Sequence, residues 1–385
     1  MRVLFVSDVY FPRVNGVSTS ISTFRADLAR IGVHTVLVAP QYPGQSPAAE
    51  PDVIRVPGGR VPGDPEDRRM RWRRLSHTLQ SLPADEFDLV HIHTPFLAHY
   101  AAVRYARRRA IPCIATYHTF FEEYLHHYVP ALPRRMGRGL ARAFTRSQCA
   151  HVRALVAPSE PLRQVLRDYG IDTPVHVIPT GLPLDRFRPG DARRFRALAG
   201  VPPERPLVTY IGRVAHEKNI DFLVRTFARV RQAVPGAMLV IAGEGPAREA
   251  LRQQVEALGL RQDVHFAGYL DRDTALLDCY AAASVFVFAS RTETQGLVLL
   301  EALAQGAPVV STAELGTRSI LAPACGALIA EEREAPFAAS VIRVLTDEGL
   351  RRTLSDQGRT YARGWSSAAM AMRLGELYHS ICRKA

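Results

Sequence analysis

Two glutamates with seven residues between them follow an apolar segment near residue 290. The segment 285–289 predicts a buried strand, with Glu293 in the polar loop after it and Glu301 about one turn into the next helix. The start of that helix offers backbone N–H groups and a positive dipole end that suit a phosphate; its residues are Thr294, Gln295, Gly296 and Leu297. The two carboxylates cannot bind the phosphate, because both groups are negatively charged, but they suit the neutral hydroxyls of a sugar and a ribose. The segment therefore predicts a nucleotide-sugar site.

Two cations follow another predicted strand, residues 207–211. Arg213 and Lys218 lie at the carboxyl end of this strand, just before a helix predicted to begin near Ile220. Two positive charges beside a helix start could clamp a diphosphate and neutralise it as a leaving group. A solvated loop with ordinary surface charges is the alternative. Lysine occurs at only two positions in this arginine-rich chain, 218 and 384, which favours a function for the first of them.

Three glycines follow predicted strands and could approach phosphates closely. Gly16 ends the loop after the strand 2–7 and precedes a helix predicted over 18–31, and Gly243 and Gly245 follow the strand 238–242. An ordinary turn explains Gly243 and Gly245 equally well, and it explains Gly16 better than a phosphate contact does. The spacing of a dinucleotide-binding G-x-G-x-x-G motif is absent from the first strand–helix turn, so NAD binding is not predicted.

Two patterns are typical of metal sites but have simpler explanations. The tripeptide Asp271-Arg272-Asp273 precedes a helix predicted over 274–283, so helix capping explains it better than a divalent metal. His91 and His93 share one face of the strand 89–93, and together with His126 and His127 they could suggest zinc. No cysteine or carboxylate arrangement supports that metal, so we expect solvent-facing or packing roles for these histidines. We predict no metal requirement.

The elements that must position these residues alternate as strand, loop and helix along the 385-residue chain. This alternation predicts parallel, doubly wound α/β sheets in two domains. We place the first over residues 1–182, the second over 183–364, and a final helix within 365–385. The apolar runs are strand-sized and no secretory signal is recognisable, and the five scattered cysteines indicate reduced thiols. These features predict a cytosolic protein.

Most of the net charge of +12 lies in the first half, where residues 1–190 carry +9. A helix predicted over 67–82 contains five arginines and Trp72, and a second basic helix face recurs every four residues at Arg134, Arg138, Arg142 and Arg146. Such faces suit peripheral binding to anionic lipid. A solvated helix face is an equal alternative. Nucleic acid is not predicted, because no recognition motif accompanies the charge.

The segment ETQGLVLLE followed by ALAQGAPVV, together with Gly212-Arg213 and Lys218, resembles the family 4 retaining glycosyltransferases of the GT-B fold. The resemblance implies two Rossmann-like domains facing across a cleft, with the C-terminal helix crossing back to the first domain. It also implies a nucleotide-sugar donor, no cofactor, and retention by front-face attack without a side-chain nucleophile.

The family pattern assigns roles to individual residues. Arg213 and Lys218 would stabilise the departing diphosphate, while Glu293 would hold the donor sugar and Glu301 the ribose. His118, after the strand 113–116, would lie near the sugar and the acceptor. The backbone at Gly16 and at residues 294–297 would complete the donor site, with Gly243 and Gly245 near the nucleotide.

Segments of the first half are most similar to the diacylglycerol glucosyltransferases of this family; they are residues 10–21, 116–119 and 122–128. This similarity implies transfer of a hexose, glucose in those enzymes, to a lipid hydroxyl at the inner face of the cell membrane. A GDP-mannose-dependent mannosyltransferase and a transferase for a soluble or polysaccharide acceptor remain alternatives. A non-catalytic nucleotide-sugar binding or epimerase-like protein is a further one.

Overall fold

The computed structural model describes residues 1–44, 50, 52–61, 64–83, 85–118, 134–185 and 187–383. His126, His127, Lys384 and the segment 122–128 lie outside this part, as do the side chains of Arg134 and Arg138. The chain divides into two compact units, Met1–Gly181 with Ser367–Ala385, and Leu182–Ser366. This division is adjacent to the boundary placed after residue 182 from the sequence.

In the described residues, the first unit contains a seven-stranded parallel sheet of order β3-β2-β1-β6-β7-β8-β9. Its strands are β1 (Arg2–Val6), β2 (His34–Pro40), β3 (Val53–Val56), β6 (Leu89–Ile92), β7 (Cys113–Thr116), β8 (Ala154–Ala157) and β9 (Val175–Val177). The helices of this unit are α1 (Gly16–Arg30), α2 (Trp72–Gln80), α3 (Leu97–Arg109), α4 (Arg134–Cys149), α5 (Glu160–Asp168) and α14 (Ser367–Arg383).

The prediction of a helix over residues 67–82 is wrong for residues 67–71. Residues Asp64–Met70 form strand β5, which pairs antiparallel with β4 (Gly58–Val61), and α2 begins only at Trp72. Gly58 allows the two strands to meet, because a side chain there would overlap the backbone of Arg69. The first two arginines of the run, at 68 and 69, therefore belong to a hairpin rather than to a basic helix face.

The structure describes the side chains of two of the four arginines of the second predicted basic face, Arg142 and Arg146 of α4, and both are exposed. Arg142 lies over the ring of Tyr169 at 5.1 Å, and Arg146 is exposed. Phe144 packs against the core of the first unit, whereas Leu140 remains 56% exposed. None of the helices in the described part of the chain is both long and apolar enough to cross a bilayer.

The first sheet is buried on both faces, as expected for a parallel sheet covered by helices. Along β1, Leu4 and Val6 enter one apolar cluster, while Val3 and Phe5 enter another that includes Tyr378 of α14. The terminal helix thus completes the core of the unit in which the chain begins.

His91 ties α14 to the sheet from a fully buried position. One ring nitrogen is 2.6 Å from the Tyr378 hydroxyl and the other is 2.7 Å from the Thr116 hydroxyl. His93 is buried beside it, with the two ring centroids 4.2 Å apart. The predicted packing role is therefore confirmed for both histidines, and the alternative prediction that they face solvent is wrong. Burial lowers the pKa of His91 to about 3, so the ring is neutral at neutral pH.

This depressed pKa makes stability depend on pH. In the unfolded chain the imidazole gains its proton near pH 6.5, whereas the folded protein resists protonation down to pH about 3. The contribution is therefore complete above pH 6.5 and is lost as the pH falls. Between pH 7 and pH 5 we expect His91 alone to remove about 2 kcal/mol from the free energy of unfolding.

Urea denaturation of the unmodified protein and of His91→Gln at both pH values measures this effect. The variant should lose about 2 kcal/mol less than the unmodified protein on acidification. His379→Gln, at an exposed position of the same helix, is the matched control and should behave as the unmodified protein does. Equal pH dependence in all three proteins would contradict the assignment.

In the described residues, the second unit contains a six-stranded parallel sheet of order β12-β11-β10-β13-β14-β15. Its strands are β10 (Leu207–Ile211), β11 (Met238–Ala242), β12 (Val264–Gly268), β13 (Val285–Phe288), β14 (Val309–Ser311) and β15 (Ala327–Ile329). Its helices are α6 (Ala192–Leu198), α7 (Ile220–Ala233), α8 (Arg248–Ala257), α9 (Ala275–Ala282), α10 (Leu297–Ala304), α11 (Gly316–Leu321), α12 (Glu334–Thr346) and α13 (Glu348–Ala362).

The parallel, doubly wound sheets predicted from the strand–helix alternation are confirmed in both units. In each of them the strand order reverses once beside the first strand: between β1 and β6 in the first unit and between β10 and β13 in the second. Ligands of open α/β sheets bind outside the carboxyl ends of the strands at such a reversal. The topology therefore predicts ligand sites at the loops after these four strands.

Candidate functional site

The reversal in the second unit joins two of the predicted site residues directly. Lys218 follows β10 and Glu293 follows β13, and the Lys218 Nζ atom is 2.7 Å from Glu293 Oε2. Their side chains are 18% and 23% exposed, so a ligand can reach the pair from solvent. The partial burial also strengthens electrostatic interactions with such a ligand, because the local dielectric constant is lower than that of water. The structure thus brings together the cation expected at a phosphate and the carboxylate expected at a sugar.

Arg213 and Lys218 lie on one tightly folded loop between β10 and α7. Arg213 Nη1 lies 3.6 Å from the Glu217 carboxylate, and residues His216–Lys218 form a 3₁₀ turn. Asn219, in the left-handed region at φ 58°, ends this turn and begins α7. Its side-chain amide donates to the Ala289 carbonyl at 3.2 Å, which fastens the loop to the end of the β13 segment.

Tyr210 fixes the same loop from inside, and its role was not predicted from the sequence. Its hydroxyl donates to the Arg213 carbonyl at 3.0 Å from a fully buried ring. Burial, followed by the charges of Glu293 and Glu217, holds the pKa of Tyr210 well above its usual range. The phenol therefore stays protonated and remains a donor that holds Arg213 in place.

Gly243 and Gly245 are required by the protein's own backbone. A Cβ at Gly243 would overlap the Gly212 carbonyl, and one at Gly245 would overlap the Val214 carbonyl. Their loop runs beside that of Arg213, with the Val214 N–H donating to the Glu244 carbonyl at 2.9 Å. Close packing of two loops thus explains these glycines without a phosphate.

The start of α10 lies where it was predicted, beside the loop of Glu293. Gly296, at φ 95°, is its N-cap, and Gln295 just before it is 7% exposed. Gly316 of α11 supports this loop, since its N–H donates to the Glu293 carbonyl at 2.9 Å. The Leu299 N–H of the first turn donates to the Gly296 carbonyl at 2.9 Å. The N–H groups that precede it at the start of a helix are the ones that suit a phosphate.

Glu301 lies one turn inside α10 and is nearly enclosed, with 4% of its side chain exposed. Arg272 Nη2 is 2.5 Å from one carboxylate oxygen, and the Tyr280 hydroxyl donates to the other at 2.9 Å. Neither partner was predicted from the sequence. Burial and then the charge of Glu301 keep the pKa of Tyr280 well above its ordinary value.

The Asp271-Arg272-Asp273 tripeptide caps a helix, as predicted. The Asp271 carboxylate accepts from the N–H groups of Thr274 and Ala275, at 2.8 and 3.1 Å, at the start of α9. Among the described residues, no group of three or more His, Cys, Asp or Glu side chains is arranged to hold a metal ion.

In the first unit, His118 lies just after β7 next to His93. The two facing ring nitrogens are 3.5 Å apart and the rings are stacked with centroids 5.8 Å apart. Burial lowers the pKa of His118 to about 4, so the ring is neutral at neutral pH. It can donate or accept a hydrogen bond there, but it does not supply a positive charge.

Gly16 opens α1 behind an Asn15 cap, whose side chain accepts from the Ser18 N–H at 2.9 Å. A Cβ added at Gly16 would meet no atom within 4 Å, and its φ lies outside the left-handed region. The fold itself therefore does not require glycine at this position. Open space at the carboxyl end of β1 is compatible with the close approach of a ligand.

A carboxylate that was not predicted lies at the reversal of the first unit. Asp8 follows β1, accepts from the Thr94 hydroxyl at 2.8 Å and from the Ala98 N–H at 3.1 Å, and so caps α3. Burial raises the pKa of Asp8 to about 6. No sequence motif marked it, because a lone aspartate after a strand usually occupies an ordinary turn.

Comparisons with known proteins agree with this geometry. The family described as Glycosyltransferase Family 4 matches residues 14–186, and the one described as Glycosyl transferases group 1 matches residues 191–361. The alpha-monoglucosyldiacylglycerol synthase of Streptococcus pneumoniae is 33% identical over 320 residues, covering 81% of this chain and 71% of that relative. The GDP-mannose-dependent alpha-mannosyltransferase of Mycobacterium tuberculosis is 30% identical over 337 residues, covering 84% and 82%.

A solved structure extends the similarity to the fold. Anabaena Alr3699/HepE in complex with UDP and glucose matches with a TM-score of 0.79 at 16% identity, over 99% of this chain and all of that one. Two parallel α/β units with this topology define the GT-B class of glycosyltransferases. The chain belongs to glycosyltransferase family 4, and its sequence is close to those of the diacylglycerol glucosyltransferases within it. The resemblance drawn from the Glu293–Glu301 segment is thereby confirmed.

Proposed function

We propose that this glycosyltransferase moves glucose from a nucleotide diphosphate sugar to the hydroxyl of diacylglycerol, with retention of anomeric configuration and without a metal ion. The observation that carries the proposal is the contact between Lys218 and Glu293 at the strand reversal. The 33% identity to an alpha-monoglucosyldiacylglycerol synthase supports the choice of sugar and acceptor. The UDP and glucose bound to the structurally similar Anabaena protein support a nucleotide-sugar donor.

The ion pair suggests how the donor enters the site. A diphosphate offers Lys218 a stronger partner than one carboxylate does, because it carries two negative charges. Binding would draw the lysine away from Glu293 and leave that carboxylate free to accept hydrogen bonds from the sugar. Arg213 on the same loop would share the charge of the diphosphate, and the N–H groups at the start of α10 would add their dipole.

The same contacts would act more strongly as the reaction proceeds. The acceptor oxygen forms a bond to the anomeric carbon while the bond from that carbon to the phosphate oxygen breaks. The leaving phosphate gains negative charge and takes the proton of the acceptor hydroxyl. Lys218 and Arg213 would stabilise this developing charge, and neutral His118 would serve as a hydrogen-bonding group near the sugar. In this mechanism the two cations perform the electrostatic work that a metal ion performs in other transferases.

The lipid acceptor implies that the protein works at a membrane surface. Arg146 and the exposed Leu140 of α4 would contribute to contact with anionic lipid. We propose a cytoplasmic protein bound peripherally at the inner face of the cell membrane.

A second candidate is a GDP-mannose-dependent mannosyltransferase. The 30% identity to a mycobacterial enzyme of that description favours it, over a slightly larger share of the chain than the synthase covers. Both candidates place the same side chains at the diphosphate, so they differ in the nucleoside, the sugar and the acceptor rather than in Lys218 and Glu293.

A panel of donors and acceptors tests the proposal. The purified protein is incubated with UDP-glucose, UDP-galactose or GDP-mannose as the donor. The acceptor is either diacylglycerol in vesicles of anionic phospholipid or a soluble polyol, and the products are identified by mass spectrometry. We expect a hexose to be added to diacylglycerol from UDP-glucose, equally well in EDTA. Products from GDP-mannose alone would establish the second candidate, and a glucosylated polyol without glycolipid would refute the lipid acceptor. Loss of turnover in EDTA that magnesium or manganese restores would refute metal independence.

A further inference from the structure

The second unit has a basic pocket of about 580 Å³ at the amino ends of its strands. Pro206, Ser284 and Pro308 lie in its wall, and they directly precede β10, β13 and β14. Lys218 and Glu293 instead follow β10 and β13, at the opposite edge of the sheet. The basic pocket is therefore separate from the site proposed for the donor.

Five arginines and two carboxylates line the basic pocket, so its wall carries a positive net charge. The arginines come from α6, from the loop before β10 and from α13; they are Arg196, Arg205, Arg351, Arg352 and Arg359. The carboxylates belong to Glu204 and Asp356. A pocket with this excess of guanidinium groups attracts anions.

Carboxylates neutralise two of the five arginines. Arg205 Nη2 lies 2.6 Å from Asp263 Oδ1, and Arg352 pairs with Glu348 one turn earlier on α13. A bound anion would have to compete with these carboxylates for the two guanidinium groups. The contribution of the pocket to ligand binding therefore depends on the other three arginines.

These three arginines form no ion pair within the described residues; they are Arg196, Arg351 and Arg359. Arg196 donates to three backbone carbonyls at 2.8–3.2 Å, and Arg351 donates to one at 3.2 Å. The guanidinium of Arg359 lies against Gly306, where an added Cβ would overlap it. Burial lowers the pKa of Arg196, and the charge of Glu204 offsets this effect only in part. The three cations thus lack the negative charge that a bound anion would supply.

Two of these cations share one face of α13 with a hydroxyl group. Arg351, Ser355 and Arg359 recur at four-residue intervals, which places them on one side of the helix over about 12 Å. Guanidinium groups bind phosphate oxygens through paired N–H donors, and a serine hydroxyl can add another donor. Arg196 lines the same pocket from α6. The wall therefore offers donors from two helices to one phosphorylated ligand.

We propose that the basic pocket binds a small phosphorylated solute, which the three unpaired arginines hold by its phosphate groups. The volume lies within the range of small-molecule sites, roughly 300–1,000 Å³. Among the described residues, no large aliphatic or aromatic side chain lines the pocket, so neither an acyl chain nor a nucleobase would find a surface to pack against. The ligand is therefore neither the lipid acceptor nor the nucleotide of the donor. The inference goes beyond the proposed function and does not depend on it.

Titration calorimetry with pyrophosphate tests the inference on the full chain. The unmodified protein should bind pyrophosphate. Arg351→Gln and Arg359→Gln should each weaken this binding by about 10- to 100-fold, because each removes a charged hydrogen-bond donor. Lys218→Ala should retain binding at the basic pocket, since that lysine lies at the other edge of the sheet. Arg261→Gln, at an exposed position outside the pocket, is the matched control and should bind as the unmodified protein does.

A second pair of variants separates charge from structure at the same pocket. Ser355→Asp places a negative charge between Arg351 and Arg359 and should weaken pyrophosphate binding as well. Ser355→Asn introduces a side chain of nearly the same shape without the charge, and it should bind pyrophosphate within a few-fold of the unmodified protein. Melting temperatures of both variants verify that they are folded to the same extent.

Three results would overturn the inference. Loss of pyrophosphate binding in Lys218→Ala, together with full binding in Arg351→Gln and Arg359→Gln, would assign the phosphate to the donor site. Absence of binding by the folded, unmodified protein up to about 1 mM would refute a phosphate site altogether. Flotation with phosphatidylglycerol vesicles examines a lipid source: if the two arginine variants lose vesicle binding and pyrophosphate does not bind, the pocket takes a lipid headgroup rather than a solute. Pyrophosphate binding at the pocket of a protein that transfers no sugar would instead uphold the inference while the proposed function fails.

Discussion

Replacing Lys218 with alanine is expected to lower kcat/KM for sugar transfer by about 1000-fold. The lysine is in contact with Glu293, and we propose that the leaving diphosphate takes the place of this carboxylate as its partner. Its contribution grows as the phosphate gains charge in the transition state, so kcat should fall more than KM rises. Initial rates over a range of donor concentrations measure both parameters.

Two further variants show whether this loss reflects the charge at that point. Lys218→Arg keeps the charge on a bulkier, planar group and should recover part of the rate. Arg333→Ala removes a cation whose side chain is 75% exposed and should leave the rate unchanged. An alanine variant at position 218 that keeps more than about a third of the activity would remove the lysine from the mechanism.

Replacing Gly316 with alanine is expected to disable the site although none of the residues proposed to contact the donor is itself replaced. A Cβ at this position would overlap the backbone of Thr294 and Gln295, so the loop of Glu293 must move. The hydrogen bond from the Gly316 N–H to the Glu293 carbonyl would be strained as well. Displacement of a catalytic group by about 1 Å can cost about 100-fold in rate, and overpacking a core position costs about 1–3 kcal/mol.

Transfer assays and urea denaturation on the same preparation separate the two effects. Gly236→Ala is the matched control, because its added Cβ would come no closer than 3.7 Å to Pro206 in the same unit. The control should resemble the unmodified protein in both measurements. Full activity of the Gly316→Ala variant would show that the loop adapts, which would contradict the rigid support described for Glu293.

Much of the second unit is predictable because its signals are local. The apolar run ending at Phe288, the polar loop with Glu293 and the helix that carries Glu301 are contiguous in sequence, and the structure reproduces them in that order. The cations on the β10 loop are likewise placed by the end of a strand. A parallel sheet then brings the two loops together, so the contact of Lys218 with Glu293 follows from topology.

The partners of these residues were not predictable, because some are far away along the chain and others have no sequence signal beyond that of a core residue. Arg272 lies 29 positions from Glu301 and carries no signal beyond a charged residue before a helix. In the sequence, Tyr210 and Tyr280 are indistinguishable from ordinary core aromatics. Both are indeed buried in the core, but each also donates a hydrogen bond from its hydroxyl to a site residue. The hairpin at Asp64–Met70 was missed because charged residues on a short antiparallel pair lack the alternation that marks a strand.

The packing of α14 against the first sheet governs the order in which the protein can assemble during synthesis. Residues 367–383 leave the ribosome only after the whole of the second unit, yet Ala371, Leu374 and Tyr378 complete an apolar cluster built on Val3 and Phe5. One face of the first sheet therefore lacks part of its cover until α14 has been made. The core of the second unit needs no later segment and can form as soon as that unit has been made. Residues 367–383 must therefore be made before the first unit reaches its final stability.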